Sequence, residues 1–466
     1  MSYVNYLYNA TAGQTSFSGS DANSLTLAYT AGSIQVFLNG VFLTAEDYTA
    51  TDGTTIVLTE PAQVSAQLII VCPKLESNYS SVVEPYDWAN LTQQQKIVAS
   101  DPANSDQFGY NLDIKGDDLI VSSHAKASGD GAVYIITRSG TTWTQQQKIT
   151  DTSAVGDGDN FGRSVTIQGD YAIIGAPNFD PGSKANAGMA QVWYRSGTTW
   201  SLQQEIVPAS SDHAASDRFG HLVDIDGTSA LICSPTKTGA GGQIGAVYVY
   251  TRSGSTWSQQ AKLVPSDAAS SGVYGGSIKG DYAILGYMEG ESAKGAAYIF
   301  KRSGSTWTQQ AKLTASDRAN SDYFGLSVAI NDEANTAIVG TYFGEAAYIF
   351  TRSGSTWSQQ QILTASDAAS SAKFGDEVDI DAVGDTVIIG SSGADTGGVS
   401  NSGQTYMFTR SGSTWSEVKK FQASDSKAAH EFGRGVTIDD DTIVVGARSL
   451  GSTDSGKGQV YVYTAT

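Results

Sequence analysis

One short string limits what this chain can fold into: Arg-Ser-Gly-Ser/Thr-Thr-Trp occurs six times, starting at Arg138, Arg195, Arg252, Arg302, Arg352 and Arg410. The tryptophans that end it, Trp143, Trp200, Trp257, Trp307, Trp357 and Trp415, lie 57, 57, 50, 50 and 58 residues apart. A unit of this size cannot bury its own apolar face and must stack on copies of itself. The glycine supplies φ > 0 for a tight hairpin, and the flanking runs are short, apolar and β-branched, so the repeat reads as all-β.

A second marker, an aromatic residue followed by glycine, appears seven times: Phe108-Gly109, Phe161-Gly162, Phe219-Gly220, Tyr274-Gly275, Phe324-Gly325, Phe374-Gly375 and Phe432-Gly433. The seventh unit stops after Gln459–Tyr463, where the others continue into their hairpin. At the other end, Trp88 to Ile97 matches Trp143 to Ile149 without a hairpin before it. The two ends are therefore expected to complete one blade, with an N-terminal strand closing the ring and leaving no free sheet edge. Residues 86–466 then hold seven units of about 54 residues, the size of a four-stranded propeller blade with generous loops.

With Gly175-Ala176-Pro177 and its weaker copies at Ser234-Pro235 and Gly446-Ala447, the units resemble the FG-GAP repeats of integrin α-subunit propellers. That resemblance implies a seven-bladed β-propeller. It says little about activity, because propellers host many. Integrin-type blades often bind Ca²⁺ through an Asp-x-Asp-x-Asp-Gly loop between strands one and two. Here those turns are short, as at Lys115-Gly-Asp117, Gln168-Gly-Asp170 and Lys279-Gly-Asp281, and the nearest approaches are Asp379-Ile-Asp381 and Asp439-Asp-Asp441.

Residues 1–75 lack the repeat. Alternating runs such as Ile34-Gln-Val-Phe-Leu38 and Thr55-Ile-Val-Leu58, with Asn39-Gly40 and Asp52-Gly53 turn signals, describe a small β domain, and residues 76–85 read as a linker. The string Val36 to Leu43, then Asp47 to Gly53 and Ile56 to Leu58, resembles a module near the N-termini of tailed-phage fibre and appendage proteins. That resemblance implies attachment to other virion proteins through residues 1–75, and a virion location in the tail or capsid.

The formal charge of −19, from 28 basic and 47 acidic residues, argues against nucleic acid as a partner. No segment approaches the ~18 apolar residues of a membrane span, so membrane insertion is not expected, and the start has no basic region of a signal peptide. Synthesis in the host cytoplasm without an export signal follows from that reading. Only Cys72 and Cys233 exist, so no disulfide framework is expected.

Chemistry leaves few traces. His124, His213, His221 and His430 sit in no recognisable nucleophile, zinc or carboxylate-pair motif, and no catalytic residue is expected. The blade connections repeat Ala-Ser-Asp, and the pairs Asp101 and Asp106, and Asp317 and Asp322, either hold Ca²⁺ or cap their loops. No other cofactor is indicated. The tryptophans can stack on sugars, but their fixed place after the hairpin favours packing between outer strands.

What varies is the loop between strands two and three. It supplies the candidate ligand-binding residues His124, Lys126, Asn178, Phe179, Tyr287, Tyr342, Phe343 and Arg448. Rigid strands carrying variable loops suit recognition. The leading expectation is a phage tail fibre or receptor-binding protein meeting a host-surface glycan or protein, and a homo-oligomer is compatible with it. The alternatives are an architectural capsid decoration or tail-tube component, and a polysaccharide depolymerase whose carboxylates converge from separate loops.

Overall fold

The computed structural model describes the chain except residues 1–2, 12–13, 19–34, 39–40, 44–47, 51–54, 60–66, 74–87, 152–157, 240–241, 268–271, 289–292, 318, 451–455 and 466. The Asn39-Gly40 and Asp52-Gly53 turns and the whole linker, residues 76–85, lie outside the described residues. Contacts divide the chain into Met1–Pro85 and Tyr86–Thr466.

The first unit has two small antiparallel sheets. One orders the strands Tyr3–Asn9, Gln67–Pro73, Gln35–Leu38 and Val41–Leu43, and the other Ser16–Ser18, Thr55–Leu58 and Tyr48–Thr49. Alternation decides which side chains meet. Ile56 and Leu58 turn inward on one strand, Leu68 and Ile70 on another, and they share a core with Tyr8, Phe17 and Val36.

The second unit is a β-propeller of seven four-stranded antiparallel sheets. Their innermost strands begin at Leu112, Val165, Val223, Gly272, Val328, Phe374 and Phe432, and they are numbered blades 1 to 7 in that order. Blade 7 takes its outer strand from Thr92–Ile97, which pairs antiparallel with Gln459–Thr464 in the register Val460 to Ile97 and Thr464 to Thr92. Seven apolar clusters each join two neighbouring blades. One of them sets Val444, Val460 and Val462 of blade 7 against Leu112, Leu119 and Val121 of blade 1. Strand two is buried on both faces, which is why it reads as a continuous apolar run such as Leu119-Ile-Val121.

The repeated motif residues each have a packing role. Trp143 Nε1 donates to Gln94 Oε1 of the preceding outer strand, while Gln95 bonds the Trp143 backbone at both N–H and C=O. The same clasp joins Trp200 to Gln146 and Gln147, and Trp415 to Gln360 and Gln361. The hairpin arginine lies over the tryptophan, at 5.4 Å for Arg138 on Trp143. These rings are buried between blades, so they are not a sugar-stacking set.

In five blades the Phe-Gly phenylalanine meets the edge of a tyrosine on strand three of its own blade, while in blade 2 Gln191 holds the tyrosine's place. The centroid distances are 5.3 Å for Phe108 and Tyr134, 5.4 Å for Phe219 and Tyr248, and 5.2 Å for Phe374 and Tyr406. Blade 4 differs. A residue fewer at its strand-one bulge puts Val273 opposite Tyr287, the place Phe432 holds opposite Ala447 in blade 7. Tyr274 turns instead toward His221 at 5.5 Å. Tyr287, 0% exposed, fills the vacated aromatic site and meets Tyr298 at 5.5 Å. The expectation that Tyr287 binds ligand is therefore wrong: its ring substitutes for a missing phenylalanine in the core.

The Tyr287 hydroxyl is buried without a hydrogen-bond partner, whereas Tyr134 Oη donates to Asp101 at 2.7 Å. An unpartnered buried hydroxyl costs stability, and a bond to a charged acceptor contributes about 1.5–3 kcal/mol. Tyr287→Phe is expected to leave the melting temperature unchanged or raise it, while Tyr134→Phe lowers it. Thermal melts of the two variants decide this, and equal losses would contradict the reading of Tyr287.

Candidate functional site

Blade connections cross the end of the channel where strand one begins and the strand two to three loops emerge. In six blades the residue just before the phenylalanine is held at positive φ: Gln107 at 57°, Asn160 at 55°, Arg218 at 55°, Tyr323 at 52°, Lys373 at 58° and Glu431 at 50°. Each costs on the order of 1 kcal/mol relative to ordinary backbone. The kink lets two successive N–H groups reach the loop of the preceding blade. Gln107 and Phe108 donate to the carbonyls of Gly456 and Lys457, and Glu431 and Phe432 to those of Asn401 and Ser402. The backbone is copied in every case, and the side chain is different in every case.

The loop residues picked out from sequence fall into three groups. Lys126 is not free to bind. Its Nζ donates to Asp106 Oδ2 at 2.6 Å and to the Asp101 carbonyl at 2.7 Å, so it ties the loop to the blade connection. Lys237 does the same with Asp217 and Asp212 in blade 3. Asn178 is also structural, with Nδ2 on the Gly158 carbonyl, and Phe179 packs against the core between blades 1 and 2. Tyr342 and Phe343 form the second group. Their rings meet edge to face at 4.4 Å, with Tyr323 5.7 Å from Phe343 and Lys373 over Tyr342, and Phe343 stays 52% exposed. Leu450, 49% exposed, lies on the equivalent loop of blade 7.

The aspartates proposed for Ca²⁺ have protein partners. Asp101 accepts from Tyr134 Oη and Lys148 Nζ, and Asp106 from the Ala103 N–H and Lys126. Burial raises the Asp101 pKa, but the bonds from Lys148 and Tyr134 outweigh it and bring the value to about 2. Asp317 accepts from Tyr348 Oη and Asp322 from the Ala319 N–H. Asp381 caps its own turn through the N–H groups of Gly384, Asp385 and Thr386, and Asp439 receives Lys115 Nζ and the Gly116 N–H.

His124 and Arg448 form the third group, at the mouth of the channel. The His124 ring lies 4.0 Å from the Tyr110 ring, and the guanidiniums of Arg163, Arg434 and Arg448 lie 4.7, 4.8 and 5.5 Å from that ring's centre. Arg434 bonds Glu377 and Tyr110 Oη, each at 3.2 Å, and Arg448 pairs with Glu431. Tyr110, Arg163, His221, Tyr274 and Glu377 were missed from sequence. They stand on strand one or just before it, among residues copied from blade to blade, and only their variability sets them apart.

Deeper in the channel the residue before the strand-one isoleucine runs Asp113, Thr166, Asp224, Ser277, Ala329, Asp379 and Thr437 around the ring. Each aspartate reaches the next blade. Asp113 accepts from Thr166 Oγ1 and the Ile167 N–H, Asp379 from Thr437 Oγ1 and the Ile438 N–H, and Asp224 from the Ile278 N–H. Seven is odd, so three such steps leave one blade over, and there the residue is Ala329.

Burial pushes Asp224 up to about 7. Its carboxylate penalises folding fully above pH 7, and the penalty is lost as pH falls toward the unfolded value near 4. Asp224→Asn is therefore expected to stabilise the protein at pH 8, on the order of 3 kcal/mol. The advantage should disappear near pH 4. Denaturant melts of both chains across that range test it; a pH-independent difference would contradict the burial argument.

The FG-GAP repeat family model matches the chain over residues 91–136, 143–193, 200–250, 257–300, 307–355, 357–408 and 415–463, more than half of its length. Among solved structures, the chain is similar to the β-propeller domain of Myceliophteria thermophila Cps50 (Swd1), with a TM-score of 0.52 and 11% identity over 81% of this chain and 100% of that one. Such a likeness speaks to fold alone. No curated protein matches the sequence. On its seven matched repeats and the contacts that join them, the chain belongs to the FG-GAP repeat family.

Proposed function

We propose that the chain is a phage virion appendage, held to the particle by residues 1–75, whose propeller recognises the host surface with the face that carries the strand two to three loops. One observation carries this reading most directly. The residue before the phenylalanine keeps the same strained backbone in six blades, yet it is Gln107, Asn160, Arg218, Tyr323, Lys373 or Glu431. A fold that holds a costly conformation constant while changing its side chain supports a display role rather than a packing one. The resemblance of residues 36–58 to phage appendage modules supplies the virion context, and the net charge of −19 disfavours nucleic acid.

Phe343 is the exposed aromatic of this face and Leu450 its apolar counterpart. Exposed large side chains of this kind are common binding anchors, and loss of one hot spot weakens binding about tenfold or more. Phe343→Ser combined with Leu450→Ser is expected to keep the melting temperature and reduce adsorption of labelled protein to susceptible cells by at least about tenfold. Undiminished adsorption by the folded double variant would remove these loops from the binding surface and favour an architectural role in the particle.

A further inference from the structure

Three guanidiniums gather at the channel mouth of a strongly acidic chain, and they are not equally satisfied. Arg434 has Glu377 and Tyr110, and Arg448 has Glu431. The Arg163 guanidinium has no hydrogen bond or ion pair among the described residues. It touches the Tyr110 ring face, and burial followed by the neighbouring arginines lowers its pKa. An uncompensated cation in such a place costs several kcal/mol. Burial also pushes Glu377 up to about 7, so the nearest carboxyl does not fully offset the cluster at neutral pH.

Two neutral histidines stand beside it. Burial and the surrounding arginines hold His124 at about 3 and His221 well below the ordinary histidine range. Nδ1 of each ring is buried without a partner. Arg163, His221, Tyr274, Glu377 and Arg434 line one cavity of about 220 Å³ on the channel axis. That is below the ~300–1,000 Å³ of pockets for drug-sized molecules, and suits a ligand the size of one sugar ring.

We infer that the channel mouth is a binding site for a small monocarboxylate, such as one acidic sugar, with the Arg163 guanidinium as its anchor and the His124 and His221 imidazoles as flanking hydrogen-bond groups. The planar guanidinium fork matches a carboxylate with two parallel bonds. Asp376 and the part-ionised Glu377 line the same cavity, so a dianion such as phosphate meets more repulsion there than a monoanion. The site rests on the channel alone and stands whether or not the propeller meets a host surface.

The test is calorimetric titration of the full chain at neutral pH and low salt with glucuronate, glucose and inorganic phosphate. Glucuronate is expected to bind, with an affinity that falls as salt rises, while glucose gives no heat and phosphate binds more weakly. Arg163→Met should fold with an unchanged or higher melting temperature and bind at least tenfold more weakly. In the unaltered chain, glucuronate should shift the ring resonances of His124 and His221 and leave those of His213 and His430 in place, a readout that needs no variant. Absence of glucuronate binding, phosphate binding as tightly as glucuronate, undiminished binding by folded Arg163→Met, or binding without movement of the two ring signals would each overturn the inference.

Discussion

The propeller depends on how closely one blade's backbone approaches the next. A Cβ added to Gly175 on strand two would sit 1.8 Å from the Gly220 carbonyl oxygen of the following blade. The same holds at 1.8 Å for Gly286 and Gly325, and at 2.1 Å for Gly340 and Gly375, Gly390 and Gly433, and Gly446 and Gly109. The Phe-Gly and Gly-Ala-Pro halves of the repeat, distant in sequence, are two sides of this contact. Glycine leaves room for it at five of the seven junctions, while Ser122 holds the same place before blade 2. Before blade 4, which lacks Phe-Gly, strand two carries Cys233, whose thiol bonds the Val273 carbonyl.

That contact fixes the spacing of the blades, and other layers follow from it. Toward the rim, tryptophan and glutamine clasp neighbouring outer strands. Toward the axis, aspartates reach threonine hydroxyls and backbone N–H groups one blade on. At the loop-bearing end, connections kinked at positive φ bond the preceding blade's loops. Frame residues are copied because every blade meets the same neighbour. Residues facing the channel mouth meet no such neighbour, and there the chemistry diverges into arginine, histidine, tyrosine and carboxylate.

The frame was legible in the sequence because its contacts recur at a fixed period, and the pairing of Thr92–Ile97 with Gln459–Thr464 could be read from the unfinished seventh unit together with Trp88 to Ile97. Blade 4 was misread because Tyr274-Gly275 imitates Phe-Gly. A bulge one residue shorter moves the tyrosine to the channel, and no local pattern announces such a slip. The loop residues Lys126, Phe179 and Tyr287 looked exposed because they follow strand two. Whether a side chain leaves or re-enters the core depends on partners in another blade, such as Asp106 for Lys126. The channel-mouth cluster was missed for the converse reason: Arg163 and His221 sit two residues before strand one, between copied frame residues, where variation reads as tolerance rather than as chemistry.

If the ring is one cooperative body held by these approaches, a single methyl at the junction of the last and first blades should be felt throughout. The Cβ of Gly446→Ala would meet the Gly109 carbonyl at 2.1 Å, and its neighbourhood is backbone that cannot swing aside. Overpacking of this kind costs about 3 kcal/mol or more. Thermal unfolding of the Gly446→Ala chain should show one propeller transition displaced to lower temperature. A transition at the temperature of the unaltered chain, or a small early step with the rest unmoved, would contradict the account.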